Sequence, residues 1–155
     1  NIGFFDPYIK KNRNLLKYKN FKDLNDFLKW SDVISINANL NLSNRHMINK
    51  KFINSVKKNV IIINLARFEF IENIELIFDA LKNRKIDYFA IDLEMRDIIK
   101  QRIKISNFIN LYPNYISIHP HSSFYSKQSY IAMRSNTAEI ALKIINNKKI
   151  KSRVL

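Results

Sequence analysis

The sequence predicts an open, parallel α/β sheet of about five strands with helices on both faces, and three observations carry that expectation. Short, β-branched apolar runs recur along the 155 residues. Segments of helical period separate them. The strongest run, Val60–Leu65, is apolar without alternation, as expected for a strand covered on both faces. Alternating strand and helix implies parallel pairing through right-handed crossovers. The length suits one domain.

In chain order, Ile2–Phe5 is a brief apolar run stopped by the turn signal Asp6-Pro7. Phe21–Ser31 sets Leu24, Phe27 and Leu28 at helical spacing, and Val33–Ile36 is the next strand candidate. Asn49–Lys58 carries Phe52, Ile53 and Val56 on one helical face before the Val60–Leu65 strand. Ile74, Ile77, Phe78 and Leu81 stripe a helix reaching about Arg84, followed by a strand at Tyr88–Leu93. Glu94–Asn114 reads as a long irregular connection with room for a short helix at Arg96–Lys104. Tyr115–Ile118 is the last strand, and Ile131, Ala138, Ala141, Leu142 and Ile145 stripe a long final helix.

Composition narrows the function. The chain has no cysteine, which excludes disulfides, thiolate metal sites and a cysteine nucleophile. No apolar run approaches the roughly 20 residues of a membrane-spanning helix, and the start lacks a signal-peptide pattern. The net charge of +14 (27 Lys and Arg against 13 Asp and Glu) raises the question of a polyanion partner. The lysines are scattered, however, with Lys10–Arg13 and Lys148–Arg153 the densest groups, and a solvated face accounts for them better than nucleic acid. One glycine, where average usage is about 7%, leaves no complete glycine-rich phosphate loop within these residues.

Ligands of open α/β sheets sit beyond the carboxyl ends of the strands. The polar residues expected there are Asp6, Asn37, Asn39, Arg67, Asp92, His119 and His121. Each has an ordinary reading beside a functional one. Asp6 is either a turn former before Pro7 or an acid that accepts from an adenosine ribose. Arg67 is either a surface cation or a bidentate clamp for a carboxylate. Asp92 either caps the next segment or meets a carboxamide. His119-Pro120-His121 puts both imidazoles on one side of an extended segment. That pattern serves a metal pair, structural histidines or a proton donor, and the first lacks a third ligand.

The motifs also carry a resemblance. Gly3-Phe4-Phe5-Asp6-Pro7-Tyr8, the run Ser35–Asn49, Val60–Arg67, Ala80–Leu93 and Ile118–His121 resemble, in order, five segments of the D-isomer-specific 2-hydroxyacid dehydrogenases. The family patterns are G-Y-D-P-Y, S-L-H-L-P-L-T-x-x-T-R-H-L-I-N, a strand ending N-T-A-R, A-L-K…A-x-D-V and T-P-H. The resemblance implies a Rossmann-like NAD(P)-binding domain in an oxidoreductase that interconverts a 2-oxo acid and a D-2-hydroxy acid. It implies that Arg67 binds the substrate carboxylate and that His121 is the proton donor or base. Asp97 takes the position of the acid that partners that histidine, with Glu94 as the fallback. Cofactor contacts fall on Asp6, Ala38, Asn39, Asn44, Leu65, Ala66, Arg67 and Asp92. NAD is preferred to NADP because the Asp6 charge would repel a 2′-phosphate. No metal is implied. A cytoplasmic protein, with a homodimer contact through the cofactor domain, is the further expectation.

Departures from the pattern shape the rest. The family's G-x-G-x-x-G lies upstream of the segment that Gly3–Tyr8 resembles, so residues 1–155 are expected to be a partial cofactor domain, without its first strand and without a substrate domain. Phe68 stands where the family has glycine, Asn37 and Asn39 replace His and Pro, Leu65 replaces Thr, and one extra residue stands between Arg67 and Asp92. Either the chain is a fragment, inactive alone, or it is a non-catalytic binding or regulatory remnant. Persistence of Arg67 and His121 favours the fragment. Two open strand edges in mid-sheet, and hence poor solubility, follow from the absent first strand.

Overall fold

The computed structural model of the chain describes residues 1–9, 15, 17–122 and 124–149. The basic group Lys10–Arg13 lies outside the described residues, as does Lys148–Arg153 from residue 150 onward.

The described strands are parallel and form two sheets. In one, β1 (Gly3–Phe5) pairs with β2 (Lys19–Phe21). In the other the order is β3 (Val33–Ile36), β4 (Val60–Asn64), β5 (Ile86–Asp92) and β6 (Ile116–His119). Among the described residues β1 and β2 make one parallel pair, and β3 and β6 are the outer strands of the other sheet. The parallel α/β architecture expected from sequence is thus present, its described strands divided between sheets of two and four.

β2 was hidden in the sequence because it has three residues, of which only Phe21 is buried. It explains the chain's one glycine. A Cβ on Gly3 would lie 2.9 Å from the Phe21 ring, 3.0 Å from the Trp30 ring and 3.1 Å from the Lys19 carbonyl. Glycine is needed there for close approach and not for an unusual backbone angle. Left-handed positions fall instead to His46, Asn59, Arg84, His121 and Asn147 among the described residues.

Three helices start at side-chain caps that satisfy otherwise unpaired N–H groups. Asp23 caps α1 (Leu24–Trp30), Asn49 caps α2 (Lys50–Ser55) and Asn73 caps α3 (Ile74–Lys82). The segment expected to be irregular is largely α4 (Met95–Leu111), a continuous 17-residue helix. Its stripe of Ile98, Ile105, Phe108 and Ile109 is sparse among Lys, Arg and Asn, which masks the period. Phe108 stacks on Phe78 of α3 with ring centroids 4.2 Å apart and planes 8° from parallel. Around this contact the core gathers Leu28, Ile34, Phe52, Ile62, Phe70, Ile77, Ile86 and Phe89. β4 is fully buried on one face and half-buried at Ile61 and Ile63, a less complete cover than its continuous apolar run suggests.

The chain divides into two compact units, Asn1–Pro120 and His121–Leu155. The second contains α5 (Lys127–Ile145), capped by the Ser126 hydroxyl accepting from the Ser129 N–H. The apolar residues expected to stripe a core face there, Ile131, Leu142 and Ile145 among them, are exposed.

Candidate active site at the carboxyl ends of the strands

The site is built on one buried amide. β4 ends at Asn64, whose side chain is fully enclosed. Its Oδ1 accepts from the Ala66 N–H at 3.0 Å, and its Nδ2 donates to the Arg67 carbonyl at 2.9 Å. Both bonds close on the turn Leu65–Arg67, which is also tied to β3 by the Leu65 N–H donating to the Ile36 carbonyl at 3.1 Å. A buried amide has this much hydrogen-bonding capacity to satisfy, and here the turn satisfies it. Arg67 is therefore presented from a fixed, extended backbone, with its side chain about half exposed and Nη1 donating to the Ala66 carbonyl at 3.2 Å. Beyond it a single 3-10 turn, Phe68–Phe70, buries Phe70 completely and packs Phe68 against the core. Residues 46–48 run beside this turn, with the His46 N–H donating to the Glu69 carbonyl and the Ile48 N–H to the Phe70 carbonyl, at 2.9 and 2.8 Å.

Charge gathers around Arg67 from the end of β5 and the start of α4. Arg67 Nε lies 3.6 Å from Glu94 Oε1, while Glu94 Oε2 lies 3.3 Å from Arg96 Nε. Arg96 also reaches Glu69 Oε1 through Nη2 at 3.2 Å and Asp97 Oδ1 through Nε at 3.5 Å. Two guanidinium groups thus face three carboxylates. Asp97 is almost wholly buried, and the other Glu69 oxygen, Oε2, is buried with no hydrogen-bond partner. Such half-exposed pairs contribute about 0–1 kcal/mol each, so they orient side chains more than they stabilise the fold.

The remaining predicted residues distribute as follows. Asp6 is exposed beyond β1, where Oδ1 accepts from the Tyr8 N–H at 2.8 Å. Asn44 closes the loop after β3: its Nδ2 donates to the Asn39 carbonyl and its Oδ1 accepts from the Asn41 N–H, both at 2.8 Å. Ala38 and Asn39 are exposed on that loop, and Leu65 and Ala66 flank Arg67. Asp92, nearly buried, closes β5 in register with His119 at the end of β6. Asp97 and Glu94, the two acids expected to serve His121, are both engaged by Arg96. His121 opens the second unit with a left-handed backbone, φ 49°, its ring 6.3 Å from that of Phe124. No group of three or more His, Asp or Glu side chains able to hold a metal ion occurs among the described residues. Sequence reasoning missed Asn64, Glu69 and Arg96. For Asn64 the signal was present, as a polar residue inside the most apolar strand.

The family profile of the D-isomer specific 2-hydroxyacid dehydrogenase NAD-binding domain matches residues 1–123. The chain belongs to this family. An aromatic 2-oxoacid reductase of Clostridium sporogenes is 32% identical over 145 residues, covering 86% of this chain and 41% of that protein. Glyoxylate reductase 1 of Saccharomyces cerevisiae is 28% identical over 153 residues, covering 94% and 41%. The chain spans about two fifths of the length of these 2-hydroxyacid dehydrogenase relatives. Among solved structures, the NAD-complexed D-isomer specific 2-hydroxyacid dehydrogenase of Lactobacillus delbrueckii ssp. bulgaricus superposes with a TM-score of 0.80 at 23% identity, covering 97% of this chain and 47% of that one. The D-lactate dehydrogenase of Aquifex aeolicus, complexed with NAD and lactic acid, gives 0.72 at 24% identity, covering 92% and 45%. At such identities the likeness shows the fold alone, and that fold is the Rossmann type.

Proposed function

We propose that this chain is the main part of the cofactor domain of an NAD-dependent oxidoreductase that interconverts a small 2-oxo acid and a D-2-hydroxy acid. The observation that carries the reading is Arg67, fastened by buried Asn64 beyond the carboxyl end of β4. A guanidinium there can grip a carboxylate through two parallel N–H donors and so align the neighbouring carbonyl. His121 holds the proton that the reduced oxygen takes, or accepts it in oxidation. By the family pattern Asp97, with Glu94 as the alternative, takes the position of the acid that partners such a histidine.

The residues present fit a dinucleotide. Asp6 stands exposed after β1 for a ribose hydroxyl, and Phe68, which replaces a glycine, packs on the core instead of standing over the turn. When bound, NAD supplies or accepts the hydride at the carbonyl carbon. Asp6 favours NAD over NADP by charge repulsion of a 2′-phosphate. Residues 1–155 hold a single glycine and so no glycine-rich phosphate turn, and negligible turnover is expected of them alone.

The test is a chimera in which residues 1–123 replace the matched segment of the Clostridium sporogenes aromatic 2-oxoacid reductase. NADH-dependent reduction of a 2-oxo acid panel should appear and fall by about a hundredfold or more in Arg67→Ala, which loses substrate alignment, and in His121→Ala, which loses the acid–base group. Intact cofactor binding without reduction of any acid would favour the non-catalytic reading, which the engagement of Asp97 by Arg96 supports.

A further inference from the structure

We propose that Glu94 is a built-in stand-in for the substrate carboxylate, occupying Arg67 while no acid is bound, and that Arg96 is a positioning residue that sets how readily Glu94 lets go. The proposal deepens the carboxylate-binding reading of Arg67 and rests on it.

Three features of the cluster lead here. The first is commitment of the side chain. Glu94 is the residue before α4, and its side chain makes no capping hydrogen bond to the helix start. Its carboxylate bridges the two arginines instead, Oε1 toward Arg67 and Oε2 toward Arg96. The second is weakness. At 3.6 Å the Arg67–Glu94 contact is an ion pair beyond hydrogen-bond length, and both side chains are partly exposed, so a competing carboxylate can displace it cheaply. The Arg67 backbone cannot follow Glu94, because Asn64 holds it, so exchange involves side chains alone.

The third is the charge count. Glu69, Glu94 and Asp97 already outnumber Arg67 and Arg96 by one. An arriving acid makes that excess two unless a carboxylate withdraws. Glu94 is the one touching Arg67, and Arg96 offers it a place to go. Neutralising Glu94 should therefore strengthen anion binding at Arg67. Neutralising Arg96 should weaken it, because Glu94 loses its second counter-charge and settles on Arg67. Two neighbouring substitutions with opposite signs are not what a general loosening of the site would give.

The experiment uses the whole chain with 15N-labelled arginine, following the Arg67 Nε–Hε signal, assigned through Arg67→Lys, during titration with oxamate, an amide analogue of a 2-oxo acid. Glu94→Gln should shift that signal before any ligand is added and tighten oxamate binding by about two- to fivefold, the range of a partly exposed ion pair. Arg96→Gln should loosen binding by a similar factor. Equal affinity in the parent chain and Glu94→Gln overturns the stand-in role while leaving Arg67 as the carboxylate site. Tighter binding in Arg96→Gln overturns the role given to Arg96. If oxamate moves the Arg67 signal in none of the proteins, the carboxylate reading of Arg67 falls, and the stand-in with it.

Discussion

Replacing Asn64 by alanine should destabilise the first unit and release Arg67 together. The side chain is fully buried and makes two hydrogen bonds of 2.9 and 3.0 Å, to the Arg67 carbonyl and from the Ala66 N–H. Each neutral bond contributes about 1 kcal/mol net, and a stranded partner costs about 1–3 kcal/mol when water cannot reach it. Ala66 is half-buried and Arg67 exposed, so water reaches part of the turn and the low end applies. The sum is about 2–3 kcal/mol, a large fraction of the 5–15 kcal/mol typical of a domain. For a chain of this size the melting temperature should fall by about 5–10 °C. Urea unfolding at low micromolar protein, followed by far-UV circular dichroism and by the single Trp30, reads the change as a lower midpoint with an unchanged slope. Asn64→Asp separates the two bonds: it keeps the acceptor for the Ala66 N–H, loses the donor to Arg67 and buries a charge, so it should be at least as harmful. A shift below about 0.5 kcal/mol in Asn64→Ala, the noise level of surface changes, would refute the view that this amide organises the turn.

Other consequences follow from packing, charge and open edges. Phe108→Ala removes a ring stacked on Phe78 and on Tyr112, at centroid distances of 4.2 and 4.9 Å. The expected loss is about 3–5 kcal/mol by chemical denaturation, and a loss under 1 would mean α4 contributes little to the core. The Lys104 ammonium and a backbone N–H hold the Glu75 carboxyl below its ordinary value of 4.5. A depressed carboxyl contributes stability that is present above 4.5 and lost as pH falls through the folded value, so acid should weaken the fold below that point. The pair is half-exposed and worth at most about 1 kcal/mol, and Glu75→Gln should flatten the acid limb of a stability–pH curve by that amount. An unchanged limb would assign acid sensitivity elsewhere. Among the described residues the strands β1 and β3 each keep one unpaired edge, so the isolated chain should self-associate in light scattering, increasingly with concentration. A sharp, monomeric, cooperative unfolding transition would sink that expectation.

Much of the fold was legible because strand and helix periods are local. Val33–Ile36 is a strand over those same residues, and the other four anticipated strands sit within two residues of their expected starts. The positions of Arg67, Asp92 and His119 were legible for the same reason, since parallel β4, β5 and β6 put their carboxyl ends on one edge. β2 escaped because a three-residue edge strand with one buried side chain has no readable period. α4 escaped because its apolar stripe is thin and surrounded by charge.

By itself, then, the sequence determined the parallel alternation, the identity of the strand ends and the family. Tertiary structure decided the split into two sheets, because pairing depends on which strands are neighbours and not on any one run. It also decided that Asn64 holds Arg67 and that Glu69 and Arg96, 27 residues apart, meet beside it. Those contacts exist only because β4 and β5 lie side by side, which brings the turn after one strand against the helix start after the other.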